Sequence, residues 1–330
     1  MKKFIRKYEL ELLSLNIYRI ISIPLLLWIR FNVKKNVGFK KFKSINKLKL
    51  ISFPEVLTKP YSIFQGGYAI EKILLAINLN VEGYSRVTPR SLFTNNSPVN
   101  SLFLNWQGLT KDEVKFENYL TNTFSSLGYK EEFFKSKKIN ANCNDISKEK
   151  VGNCFQEIFK YQLDIDPTTY KGLGVEKSDD NGAHDGKLID LPITKDLVQD
   201  KKIYNVCVNN TFEKNFITDY RIPFIGELSS FCYEKKRHIS KRFANQNHSV
   251  KVLQTKNIFT SGDLDKISSM CNLMKLDYGE IDCLIDADTK KIYVIDINKT
   301  PIGPPKELPL KKKIDVIIAM STSFIKNFCS

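Results

Sequence analysis

The sequence is short of histidine. Its 330 residues contain three, His184, His238 and His248, which is a thin supply for a His-based metal centre. The seven cysteines (Cys143, Cys154, Cys207, Cys232, Cys271, Cys283 and Cys329) include no pair at C-x-x-C spacing, which argues against zinc. Their odd number and apolar settings read as reduced thiols in a cytoplasmic protein. Long apolar runs are also lacking. Residues 8–31 are rich in Leu and Ile, but their longest uncharged run, Ile20 to Ile29, is ten residues and contains Pro24. A membrane-spanning helix needs about 20 apolar residues. No cleavage pattern of small residues follows, so a signal peptide fits poorly. Acidic residues are scarce at one end only. Residues 1–50 hold 13 Lys/Arg and 2 Asp/Glu, whereas residues 51–330 hold 38 and 34. The net charge of +15 therefore belongs largely to an N-terminal arm. That distribution argues against a nucleic-acid footprint over the whole surface.

What is present divides into three expected regions. Residues 1–50 read as a basic, apolar-helical arm, in which Trp28 and the lysines from Lys34 to Lys49 suit the surface of an anionic membrane. A helix packed on the body, followed by a solvated lysine-rich segment, is the competing reading. Residues 51–150 read as a smaller α/β region. It has a helix after Gly66-Gly67-Tyr68 (69–79), a short strand at 102–106, a helix over 111–127 and a polar loop over 129–150. Residues 151–330 alternate strands with helices at 154–161 and 261–274. The expected class is α+β.

The most informative stretch is Gly279 to Pro305. Ile281 to Ile285 and Ile292 to Ile297 read as two strands joined by a polar turn, Asp286 to Lys291. Period-two alternation puts Asp296 and Asn298 on one face, and Asp282 on the neighbouring strand can face them. Two carboxylates and an amide oxygen suit a hard cation such as Mg²⁺, completed by water and phosphate. A hairpin with polar strand ends is the competing reading, but a carboxylate in an apolar strand is costly unless it is paired or bound to metal. Upstream, Lys177 ends a short strand and opens into a loop containing Gly182 and Gly186, a candidate phosphate grip that also reads as an exposed hairpin. Phe231 to Phe243 carries Lys235, Lys236 and Arg237, with Asn245 just after.

Taken in order, these residues resemble the ATP-grasp superfamily over about Gly172 to Pro305. They are most similar to ribosomal-protein glutamate ligases and to ATP-grasp-like proteins of bacterial cell-surface polysaccharide clusters. The matching pieces are Lys177, the strand Tyr204 to Val208, Asp219-Tyr220-Arg221, Lys235 to Arg237 with Asn245, Asp282, and Asp296-Ile297-Asn298-Lys299-Thr300-Pro301. Asp296 stands where the family usually has glutamate. The 178–186 loop carries three acidic residues, and no clear acidic residue follows the 203–208 strand to hold the ribose, a place that Asn209, Asn210 or Glu213 would fill.

The resemblance implies two small antiparallel sheets with helices clamping ATP. Lys177, Lys235, Tyr204, Val208, Asn209 and Asn245 would contact the nucleotide. Arg221, Lys236 and Arg237 would carry the catalytic charge, and Asp282, Asp296 and Asn298 would hold Mg²⁺ or Mn²⁺. The implied reaction activates a carboxylate as an acyl phosphate for amide formation, on a small molecule, a cell-surface glycan or its precursor. A sugar kinase of the same fold is one rival reading. A metal-dependent glycosyltransferase using Asp286-Ala287-Asp288, which also reads as an ordinary turn, is another, and a non-catalytic nucleotide-binding scaffold is a third. Localisation is expected to be cytoplasmic, peripheral on the inner membrane face.

Overall fold

The structure, a computed structural model, describes residues 22–45, 48–53, 67–83, 101–108, 110–112, 136–244 and 246–329. The chain divides into two compact units, each built from separated stretches. One takes in Met1–Trp106, Thr123–Ile139 and Pro301–Ser330, the other Gln107–Asn122 and Asn140–Thr300.

In the first unit, helix α1 (22–37) and helix α2 (Phe39–Ile45) are joined at Gly38. A parallel sheet follows, in the order β2 (Asn80–Gly83), β1 (Lys49–Phe53), β3 (Ser101–Asn105), β4 (Lys137–Ile139). Helix α3 (Ala69–Ile77) is apolar nearly all round and almost wholly buried, as a helix without a polar face must be. It packs with the last helix, α6 (Leu310–Phe328), and ends at Asn78 in the left-handed region. The 129–150 segment differs from the expected loop. Within it lie β4 and the start of helix α4 (Lys148–Phe159), whose polar first turn hides a stripe of Val151, Cys154, Phe155 and Phe159. Of the expected 111–127 helix, residues 113–127 lie outside the described residues, as does Gly66. Lys111 forms an isolated bridge with Asp145.

The second unit holds two antiparallel sheets. The small one has the order β6 (Lys187–Leu191), β5 (Gly172–Ser178), β7 (Lys202–Val206). Leu163 to Ile165 run along its free edge, bonded to Tyr204 and Val206. The large one runs β11 (Ser249–Gln254), β10 (Phe231–His238), β9 (Phe216–Ile225), β12 (Tyr278–Ile285), β13 (Ile292–Asn298), with β8 (Thr211–Glu213) beside the start of β9. Alternation along these strands separates the two faces of the large sheet. Ile222, Ile281 and Ile297 share one row across three strands. With Cys283 and Val294 they form a core covered by α4 and by α5 (Ser261–Leu273), through Phe155, Ile267 and Met270. A capping box between Thr260 and Asp263 starts α5. All seven cysteines are free, and every one but Cys207 is buried.

One polar device ties distant segments of this unit together. Lys299 Nζ donates to Asp112 Oδ1 at 2.8 Å and to the Cys143 carbonyl at 2.9 Å, and both charged side chains are fully buried. Breaking such a pair leaves a charge with no solvent, at a cost of about 3–5 kcal/mol. Lys299→Met should lower the urea unfolding free energy by that amount. Adding Asp112→Val should recover most of the loss, because the pair is then removed whole.

Candidate active site

The face of the large sheet opposite that core is polar. The strand register places Asp296 (β13), Asp282 (β12), Arg221 (β9) and Tyr233 (β10) side by side in one row. Glu280 lies opposite Asn298 in the next row, and Asp219 opposite Lys235 on the other side. Arg221 forks onto Asp282, with Nε to Oδ1 and Nη2 to Oδ2 both at 2.6 Å. Its Nη1 reaches Glu280 Oε2 at 3.3 Å, and Lys235 Nζ joins Asp282 Oδ1 at 3.2 Å. Burial alone would raise the Asp282 carboxyl, but the two cations outweigh it and hold it well below the usual carboxylate range. Burial pushes Glu280 up to about 7 against the pull of Arg221. Sequence reasoning passed over Glu280, although its alternation with Asp282 is the signal that would have found it.

Asp296 is different. Its Oδ1 is shielded from solvent and has no hydrogen-bond partner, and burial, then the neighbouring Asp282, raise its carboxyl. Between Asp282 and Cys283 the register slips, so that Ile295 is an extra residue in β13. Its carbonyl accepts a bond from Lys177 Nζ at 3.4 Å. Bulges of this kind often re-aim groups beside functional sites. The Lys177 amine is pushed down to about 8 by burial, against the attraction of Asp296. Leu173, Val175 and Lys177 share one face of β5 by alternation, and Leu173 and Leu188 leave apolar surface exposed there. Two of the loop acids are turned to internal partners. Asp179 Oδ1 accepts from Glu149 N at the start of α4, and Asp185 accepts from Ser178 and Lys202.

The remaining predicted residues fall less uniformly. Arg237 lies on the polar face but is paired at 2.6 Å with Asp219, which Asn210 also holds. Lys236 points to the opposite face, as its place between Lys235 and Arg237 requires. It lies 3.5 Å from the Phe212 ring centroid and 3.6 Å from Glu213 Oε1, so it does not join Arg221. Tyr204 is buried in the small sheet's own core with Ile165 and Leu191. The Val208 carbonyl faces Arg242 Nη1 at 3.4 Å. Asn209 is committed to the turn after β12, with its N–H on Asp286 and its side-chain amide on Asp288. The Asn298 Oδ1 accepts from the N–H and hydroxyl of Thr300 at 2.9 and 3.2 Å. Asn245 lies outside the described residues. Among the described residues no three Asp, Glu, His or Cys side chains converge as a ready metal site.

Asp286-Ala287-Asp288 is a structural turn. Asp286 Oδ1 accepts from the N–H groups of Asp288 and Thr289 and from the Thr289 hydroxyl. Asp286 is thus committed to the hairpin, and Asp288 Oδ2 accepts from the Asn209 amide, so both carboxylates already have partners within the protein. Asp286→Ala should lower the unfolding free energy by about 1–2 kcal/mol, the worth of a capping carboxylate. It should leave nucleotide affinity unchanged in a calorimetric titration.

Asp164 gives a pH prediction. It accepts a bond from the Asn205 amide, and a Cβ at Gly152 of α4 would meet its Oδ2 at 1.9 Å. Burial pushes its carboxyl from 3.8 up to about 6. With the folded value raised, the fold favours the protonated form. The stability from that form is fully present below about pH 4 and is lost as the pH rises through about 6. Asp164→Asn should therefore raise Tm relative to the wild type at pH 8 and leave it equal at pH 4.

No family model matches the chain, and neither does any curated protein. Solved structures that it is similar to include the ATP-grasp ligase PsnB complexed with minimal precursor (13% identity, TM-score 0.44, covering 83% of this chain and 98% of that one). A D-alanine--D-alanine ligase from Bacillus anthracis complexed with ATP matches at 13% identity and TM-score 0.45, covering 86% and 95%. The macrocyclase MdnC bound with precursor peptide MdnA from Microcystis aeruginosa matches at 12% and 0.43, covering 86% and 99%.

Proposed function

We propose that the polar face of the large sheet, with Lys177 from the small sheet, binds ATP and that the chain is an ATP- and Mg²⁺-dependent ligase. The observation that carries this reading is the row Asp296–Asp282–Arg221 with Lys177 bonded at the bulge beside it. It brings cations and carboxylates together on strands of two sheets, which supports phosphate and metal binding there. The shielded, partnerless Oδ1 of Asp296 fits a divalent cation, because a buried carboxylate oxygen is costly without one or a donor. Asp296 and Asn298 would hold the ion, and Asp282 would join them by loosening the Arg221 fork. When bound there, the ion supplies charge neutralisation for the phosphates.

The chain's own residues do the rest. Lys177 binds phosphate oxygens as a point charge. Arg221 and Lys235 stabilise the negative charge that develops on the transferred phosphoryl group, in a site that is already desolvated. The exposed leucines of β5 and β6, Leu173 and Leu188, offer an apolar face to the adenine ring. The acceptor carboxylate attacks the γ-phosphorus and ADP leaves. An amine then displaces phosphate from the acyl phosphate to form an amide. We take the acceptor to be a carboxylate on a small molecule, a cell-surface glycan or its precursor. The basic arm supports a place on the cytoplasmic face of an anionic membrane, and no described helix is long and apolar enough to cross one.

The test is ATP titration and ADP release, with and without Mg²⁺. Asp296→Asn should cut Mg²⁺-dependent turnover by about 10²–10³-fold, the usual effect of removing one preorganised electrostatic contact. Lys177→Met should weaken ATP binding by about 1.5–3 kcal/mol, the worth of a bond to a charged group. Lys236→Met should change neither. Full turnover in Asp296→Asn would overturn the assignment. ATP binding by the wild type without ADP release, in the presence of carboxylate and amine acceptors, would favour the non-catalytic scaffold.

A further inference from the structure

Helix α1 is apolar on two sides. Ser22, Leu26, Ile29 and Val33 are buried. Ile23, Leu27, Trp28 and Phe31 face outward with half or more of their surface exposed, and Phe39 of α2 is 62% exposed. A soluble surface helix normally carries polar residues on its outer side, and large contiguous apolar patches mark interaction sites. Beside this face opens a cavity of about 330 Å³, at the small end of ligand pockets. Its lining includes Leu27, Phe31, Phe39 and Phe42 together with Arg30 and Lys34. Arg30 is fixed in place by two bonds to the Leu75 carbonyl, at 3.2 and 3.0 Å. Lys34 Nζ lies 5.1 Å from the Phe42 ring centroid. Residues 22–45 contain six Lys/Arg and no Asp or Glu.

We propose that this cavity binds the headgroup region of an anionic phospholipid in a bilayer. Arg30 and Lys34 would take the phosphate, and the four apolar side chains the glycerol and first methylenes. Ile23 and Trp28 would seat in the interface around it. The proposal rests on the membrane-surface reading of the arm and gives it a specific ligand and site. The charge pattern selects this occupant. A second copy would bring six like charges against six, which repels, and free phosphate would leave the aromatic lining with nothing to cover it. The geometry also explains why aromatic, aliphatic and cationic side chains meet at one opening, which is the make-up of an interfacial lipid contact.

The experiment uses the full chain in two assays. Calorimetry follows monomeric dihexanoyl phosphatidylglycerol, with dihexanoyl phosphatidylcholine and inorganic phosphate as controls. Co-sedimentation follows phosphatidylcholine vesicles with and without phosphatidylglycerol. The short anionic lipid should bind at least tenfold more tightly than either control. Lys34→Gln with Phe39→Ser, both accessible side chains whose loss leaves the fold intact by circular dichroism, should weaken it at least tenfold. Trp28→Ser, outside the cavity, should leave that affinity unchanged and reduce sedimentation with anionic vesicles. Equal binding of phosphatidylcholine or of inorganic phosphate would overturn the proposal, and so would unchanged affinity in the double variant. Sedimentation with anionic vesicles but no binding of the short lipid would remove the cavity site and leave membrane attachment standing. Failure of both assays would remove both. Tight binding of poly-glutamate with no lipid binding would instead assign the surface to an acidic protein partner.

Discussion

The fork between Arg221 and Asp282 governs the chemistry of the polar face. Two largely buried charges are held here because each answers the other in a bidentate geometry. Lys235 and Glu280 extend the pair into a group of four, so removal of any member alters the electrostatic environment of the rest. The same fork sets the condition for a metal. Its oxygens are committed to a guanidinium, and the carboxylate left open is Asp296. In the proposed reading, a cation at Asp296 would compete with Arg221 for Asp282, and its binding would free the arginine to turn to phosphate.

The two sheets divide the labour of the second unit. The large sheet is anchored from behind by α4 and α5 and can hold charged groups at fixed spacing. The small sheet has a minor core of Ile165, Leu191 and Tyr204, and a strand that ends in a cation. Of the lysines on its three strands, Lys177 is the one bonded to the large sheet, at the Ile295 carbonyl.

Much of this was legible in the sequence because strand period is local information. Alternation aligned Asp296 with Asn298 and placed Asp282 on the strand beside them, and the two strands lie where apolar runs indicated. The same rule was available, and unused, for Lys235, Lys236 and Arg237. Three consecutive strand residues cannot share a face, so Lys236 had to turn away. Glu280 was visible by the same parity. What could not be read is long-range. No local signal tells Asn209 that its partner is a turn 77 residues on, nor shows that one extra residue in β13 frees the Ile295 carbonyl for Lys177. The helix expected over 154–161 was found, but its polar first turn concealed that it begins at Lys148.

The buried Lys299–Asp112 pair has a consequence for how the chain is made. Its partners are 187 residues apart, and Asn140 and Tyr278 are bonded across 138. Contacts at such separations close late, because loop entropy must be met before they reward the chain. During synthesis the 107–112 segment leaves the ribosome long before the lysine that neutralises it. The second unit therefore completes its fold only after residue 299 has emerged. Until then Cys143 and Cys271, both fully buried in the finished protein, stand open to oxidants and to each other. Under oxidising conditions, their window for reaction would be the interval before the second unit closes.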